Sequence, residues 1–162
     1  MAIARVELLE KLRDSYEYYY DLREVGNDAG ELPLAIRAEF HSRDEGYVLV
    51  KAAKIWAMES NEYLYLFSAP SIDEKTAASC LDYAVKEGLS RVKPHSEHKE
   101  TSSTAVFIAD TIDPAVLELI RRRKEYKSFR LGLHGWAILR TCAVCLEKEM
   151  VVTNDAGKCL QK

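Results

Sequence analysis

The sequence predicts an α+β domain with a mixed, largely antiparallel sheet packed with about three helices. Three stretches carry apolar residues at three- and four-residue spacing, the period of a helix face. Others alternate apolar and polar residues one by one, or run short and rich in Val, Ile, Thr and Tyr, as strands do. The resulting order, helix, three strands, helix, strand, helix and further strands, favours a mixed sheet covered by helices. At 162 residues and 48% apolar the chain is expected to form one domain, 1–162. A charged fraction of 30% with seven Gly and four Pro confines disorder to the ends, the tail at about 155–162 included.

The first helix is read over 3–23, where Ile3, Val6, Leu9, Leu12, Tyr16 and Tyr19 form a stripe between charged residues. It ends before Gly26, and the Gly, Asn and Asp of VGNDAGEL make a loop. Residues 34–41 alternate, with Leu34, Ile36, Ala38 and Phe40 on one side and Ala35, Arg37, Glu39 and His41 on the other. SRDEG is read as a turn, YVLVKAAKIWAM as a second strand, ESNE as another turn and YLYLF as a third strand, a three-stranded meander. Ser71 with Glu74 has the form of a capping box for a second helix, whose face Cys80, Leu81, Ala84 and Val85 stops at Gly88. Residues 101–109 read as a strand, and Asp113-Pro114 supplies an N-cap and first-turn proline for a third helix to about Lys124. The remainder reads as two or three strands, with a bend at His134-Gly135 and a turn near Glu147-Lys148.

A turn at SRDEG would set residue 39 across from 49 and 37 across from 51. One sheet face then carries Ile36, Ala38, Phe40, Val48, Val50, Trp56, Leu64 and Leu66, a core face. The other carries Arg37, Glu39, His41, Tyr47, Lys51, Tyr63 and Tyr65. Tyrosines among charges suit a small anionic ligand held at Arg37, Glu39, Lys51, Tyr63 and Tyr65, because the rings offer contact area and the cations oriented donors. The plainer reading is a solvated face with cross-strand ion pairs.

A net charge of -3 and a pI near 5.9 argue against a surface built wholly for nucleic acid or an anionic membrane. No apolar run approaches the roughly 18 residues a membrane span needs, and the N-terminus enters a charged, helix-patterned stretch without a secretion signal. The four cysteines are therefore expected to be reduced thiols and the chain cytoplasmic.

His95, Glu97 and His98 in VKPHSEHKE are residue types that hold zinc, but they lack the helical i, i+4 spacing of HExxH, and solvated or structural histidines fit equally. Cys142 and Cys145 form a CxxC, with Cys159 beyond; on a strand, positions three apart point to opposite faces, which favours buried, inert thiols over a metal or redox pair. The element order matches the restriction-endonuclease-like core, in which acids on two strands hold a divalent metal and a lysine assists. The acid-x-Lys of that core falls near Glu62, yet Leu64 stands where the lysine belongs. Asp110, ending TAVFIAD, is either a metal ligand or a turn residue ahead of Pro114. The basic run Arg121 to Lys124 suits a helix C-terminus as well as it suits an anion.

The stretches EFHSRDEGYVLVKAAKIWAMESNEYLYLF, VKPHSEHKE, SFRLGLHGWAILR and TNDAGK resemble an uncharacterised family of prokaryotic proteins of about this length, over residues 34 to 158. The resemblance implies a free-standing prokaryotic domain and supplies no catalytic residue. The residues themselves point to a binding or interaction domain that forms a homodimer, since Tyr16, Tyr18, Tyr19 and Tyr20 are more than one core stripe can hide. No cofactor is expected under this reading. The alternative is a metal-dependent hydrolase acting on nucleic acid, with a divalent metal held by His95, Glu97, His98 and Asp110.

Overall fold

The computed structural model describes residues 4–23, 25, 30–48, 50–95 and 98–161, apart from the side chains of 43–58 and 159–161. It is the α+β fold the periodicities predict, with three α-helices and a mixed, open seven-stranded sheet. The elements in order are α1 (Arg5–Tyr19), β1 (Asp21–Arg23), β2 (Leu34–Val48), β3 (Val50–Ile72), α2 (Glu74–Ser90), β4 (His98–Ile112), α3 (Pro114–Arg122), β5 (Tyr126–Ser128), β6 (Trp136–Cys145) and β7 (Met150–Thr153). Short 3-10 segments lie at Arg130–Gly132 and Asp155–Gln161. The sheet runs β1-β2-β3-β4-β6-β5, with β7 paired to β6. Its centre, β3, β4 and β6, is parallel because α2 and α3 each return the chain to the same end; the other pairs are antiparallel. Among the described residues no helix is long and apolar enough to cross a membrane.

The alternation in the strands divides two cores. On one face Leu8, Leu9, Leu12, Tyr16 and Tyr20, along α1 and just past its end, pack on Ile36, Ala38, Leu64, Leu66, Val106, Ile108 and Cys142. The other face puts Tyr65, Phe67, Phe107, Leu139 and Cys145 under α2 and α3, with Phe67 and Phe107 stacked at 5.2 Å. Asp113 caps α3 as expected, accepting from the Ala115 N–H at 3.0 Å, with Pro114 first in the helix.

Three expectations are corrected. The N-cap of α2 is Asp73, which accepts from the Thr76 N–H at 2.7 Å, while Ser71 still belongs to β3. Gly88 lies inside α2 rather than ending it: a Cβ there would fall 2.9 Å from the Ser103 Cβ, so glycine lets the helix approach β4. The meander is two long strands, not three, with Ser42 across from Ser60, Arg43 from Glu59 and Asp44 from Met58, so SRDEG and ESNE pair instead of turning. Ahead of the 3-10 segment Asp155–Gln161, Asn154, 2% exposed, accepts the N–H groups of Thr141 and Gly157 and donates to the carbonyls of Arg123 and Leu139, all at 2.8–3.1 Å.

The long hairpin outruns its neighbours. β1 pairs with β2 only over 37–39, and β4 meets β3 first at Glu59. Among the described residues, 43–48 and 50–58 therefore form a two-stranded ribbon beyond the sheet, from the end at which β4 and β6 begin.

Candidate functional site

Of the five residues expected to form an anion site, the register brings four together. Arg37 pairs across from Tyr65 and Glu39 across from Tyr63, all buried and on the α2 side. Lys51 does not join them. It lies fourteen residues before Tyr65 on β3, roughly 45 Å along an extended strand. The carboxylate beside Arg37 comes from α2: Arg37 pairs with Glu87, which also takes Arg91 at 3.2 Å. Glu39 takes Arg23 at 2.8 Å, His41 at 3.2 Å and Arg91 at 3.6 Å. Burial pushes the Glu39 carboxyl up, but hydrogen bonds from Arg23 and His41 and the charges of Arg23 and Arg91 outweigh it, and its pKa is lowered.

Tyr65 carries the one buried side-chain oxygen or nitrogen among the described residues that lacks a hydrogen-bond partner. Burial and the Glu87 charge raise its pKa. Because an unsatisfied buried hydroxyl costs stability, Tyr65→Phe is expected to leave the melting temperature unchanged or raise stability by up to about 1 kcal/mol. A denaturant melt showing a loss beyond that size would mean that the hydroxyl is bonded after all.

The residues of the alternative metal reading are separated. Asp110 is twelve residues along β4 from His98, roughly 40 Å away, and takes Arg5 at 3.4 Å. Glu97 lies outside the described residues. His98 is 4% exposed, with both ring nitrogens engaged: Nδ1 donates to the His134 carbonyl at 2.6 Å, and Nε2 accepts from the Thr101 hydroxyl at 2.7 Å. His95 pairs with Glu59 at 2.9 Å. Among the described residues no three His, Cys, Asp or Glu side chains gather into a metal site. Cys142 and Cys145 are buried in the two opposite cores, and burial pushes the Cys142 thiol up to about 11. The basic run is spent on ion pairs, Arg121 and Arg122 with Glu118, Arg123 with Asp82 and Glu125, and Lys124 with Asp155.

These histidines instead join the ribbon to a loop. Glu59, where the ribbon leaves the sheet, is paired with His95 by its side chain and stands across from His98 by its backbone. His98 in turn holds the loop 129–135 through the His134 carbonyl and an edge contact with Phe129, ring centroids 6.0 Å apart. Gly135, at φ +81°, brings the loop onto β4; a Cβ there would fall 2.3 Å from the Lys99 carbonyl oxygen. The loop presents Leu131, 99% exposed, and Leu133, 77% exposed, and both Arg130 and Leu131 sit at positive φ. Left-handed backbone at two non-glycine residues is strain, and here it accompanies two leucines turned to solvent. Composition gave no signal of this: RLGL falls in the remainder read as strands, and only the tertiary contacts show which way its leucines face.

The exposed tyrosines of α1 divide as one stripe requires. Tyr16 and Tyr20 pack on the core, Tyr20 donating its hydroxyl to Glu62 at 2.7 Å, while Tyr18 and Tyr19 face outward edge to face at 4.7 Å.

Neither the curated proteins nor the solved structures contain a match to the chain. A family model, Domain of unknown function (DUF8052), matches residues 5–162. The match covers more than the stretch from 34 to 158 that carries the sequence resemblance. The chain belongs to that uncharacterised family.

Proposed function

We propose that the domain is an interaction module that self-associates through its β2–β3 ribbon. The ribbon carries the reading. Two strands without a third are at best marginally stable in water, and the ribbon over 43–48 and 50–58 falls in the largely apolar sequence YVLVKAAKIWAM. A partner surface supplies the missing burial. Leu131 and Leu133, presented at the same end, add apolar area that the monomer leaves in solvent. The anion reading at Arg37 has less support, since Glu87 already meets its charge and Lys51 is remote.

The test shortens the ribbon in register. Replacing residues 45–57 by Asn-Gly joins Asp44 to Met58, which already face each other, through a two-residue hairpin turn. At tens of micromolar (set by ordinary interface affinities) the wild type is expected to sediment as a dimer. The shortened chain should sediment as a monomer with an unchanged core melt. A wild-type monomer, or a shortened chain that remains dimeric, would overturn the proposal.

A further inference from the structure

The helix α1 covers only part of its sheet face. It ends at Tyr19, and the Tyr20 ring lies against Phe40, centroids 5.6 Å apart. Beyond that point the face runs on through Phe40, Glu62 and Ser102, side by side on β2, β3 and β4, and then through Ser42, Ser60 and Glu100. Together with Arg140 of β6 these residues line a cavity of about 210 Å³. That is far more than the roughly 10–15 Å³ one water needs.

The cavity holds a surplus of acceptors and of negative charge. Glu62 takes the Tyr20 hydroxyl at 2.7 Å and the Thr104 hydroxyl at 3.2 Å, but among the described residues no cation pairs with it. Burial and the Glu62 charge raise the Tyr20 pKa, so the tyrosine stays the donor of that bond. Arg140 is already neutralised by Glu100 at 2.9 Å. Ser102 is 3% exposed and lines the cavity, and among the described residues its hydroxyl has no hydrogen-bond partner. Phe40, 41% exposed, gives the cavity an aromatic wall beside Glu62.

We infer that this cavity binds a primary alkylammonium group, whose N–H bonds go to Glu62 and Ser102 and whose methylenes lie against Phe40. The ligand supplies what the cavity lacks. Its charge meets the unpaired carboxylate, which has about four lone-pair sites and only two hydroxyls on them. Its donors reach the Ser102 oxygen, and an aromatic face attracts a cation placed over it. A divalent metal suits the cavity less, since such ions take about six to eight oxygens and the second carboxylate is committed to Arg140. A quaternary ammonium has no N–H to offer Glu62 or Ser102.

The probe is n-butylammonium chloride, titrated into the full chain at low salt while the backbone amide shifts are followed by NMR. Saturable shifts are expected at residues 60–62 and 100–104, with a Kd of about 1 mM or tighter, a level within reach of so small a ligand. Glu62→Gln keeps an oxygen to accept from Tyr20 or Thr104 but removes the charge, and should weaken binding at least about tenfold, the loss of one charge-assisted hydrogen bond. Ser102→Val fills the cavity floor with a strand-favouring side chain and should abolish the shifts. Wild-type amide shifts elsewhere in each variant show that it is folded. Three results would each overturn the proposal. One is the absence of saturable shifts in the wild type at roughly tens of millimolar, well above the expected Kd. Another is binding that survives both substitutions undiminished. The third is equal binding of tetramethylammonium or of n-butanol, which would leave diffuse cation attraction or apolar contact alone.

Discussion

Replacing Asn154 by Ala is expected to destabilise the domain by about 4 kcal/mol, measured by denaturant unfolding, and to release the C-terminal segment. The Asn154 amide ties together three parts of the fold: β6 through Thr141 and Leu139, the end of α3 through Arg123, and the tail through Gly157. Truncation takes the amide from the Thr141 N–H and from the carbonyls of Arg123 and Leu139, while the Gly157 N–H keeps the Asn154 backbone carbonyl at 3.1 Å. Each such group costs on the order of 1–3 kcal/mol, partly relieved where water enters. Asn154→Asp should be no milder, because it keeps the shape but turns a carboxylate toward the two carbonyls that the amide nitrogen now serves. A loss below about 1 kcal/mol for Asn154→Ala would show that the tail is not part of the cooperative unit.

Removing Glu87 should have the next largest effect. Arg37 is 10% exposed by its side chain and Glu87 22%, so Glu87→Ala takes a carboxylate from a guanidinium with little water around it. A cost of about 2–4 kcal/mol is expected, the lower end reflecting the solvent that reaches Glu87. Glu87 also stands in the last turn of α2, where the helix dipole disfavours an anion. Its place there follows from Arg37 and Arg91. Replacing Arg37 and Glu87 together by Met should therefore restore most of the loss, the sign of a pair that matters chiefly when broken. The same network makes the fold acid-sensitive. With its folded pKa below the ordinary 4.5, Glu39 contributes stability that is fully present above that value and lost as pH falls through the folded pKa. Glu39→Gln should flatten the stability curve over that interval; a curve with the wild-type slope would remove Glu39 as its source.

The faces of the sheet were legible in the sequence because parity survives a wrong register. Reading two turns too many still left 37, 39, 63 and 65 on one side and 36, 38, 64 and 66 on the other, as the paired strands have them. The register itself was not legible. SRDEG and ESNE have turn-forming composition, yet they lie opposite each other, and pairing between distant residues overrides local preference. Lys51 was placed beside Arg37 for that reason. Glu87 could not be found from the strands at all, since it reaches Arg37 from the crossover helix. The split of Cys142 and Cys145 followed directly from the strand period, and so did the outward placement of some tyrosines on α1. The histidines near the start of β4 were visible as residue types. Their role as a brace between ribbon and loop depends on contacts between residues 36 apart in the chain.

Amide hydrogen exchange of the ribbon as a function of protein concentration tests the account most directly. A lone two-stranded ribbon opens readily, so its cross-strand amides over 43–48 and 50–58 exchange quickly unless a second copy covers them. The account predicts strong protection of these amides, and of those in 129–135, at high concentration. On dilution both segments should lose protection together while the amides of β4 and β6 keep theirs. Ribbon amides that exchange at one rate at every concentration, whether fast or slow, would contradict self-association through the ribbon.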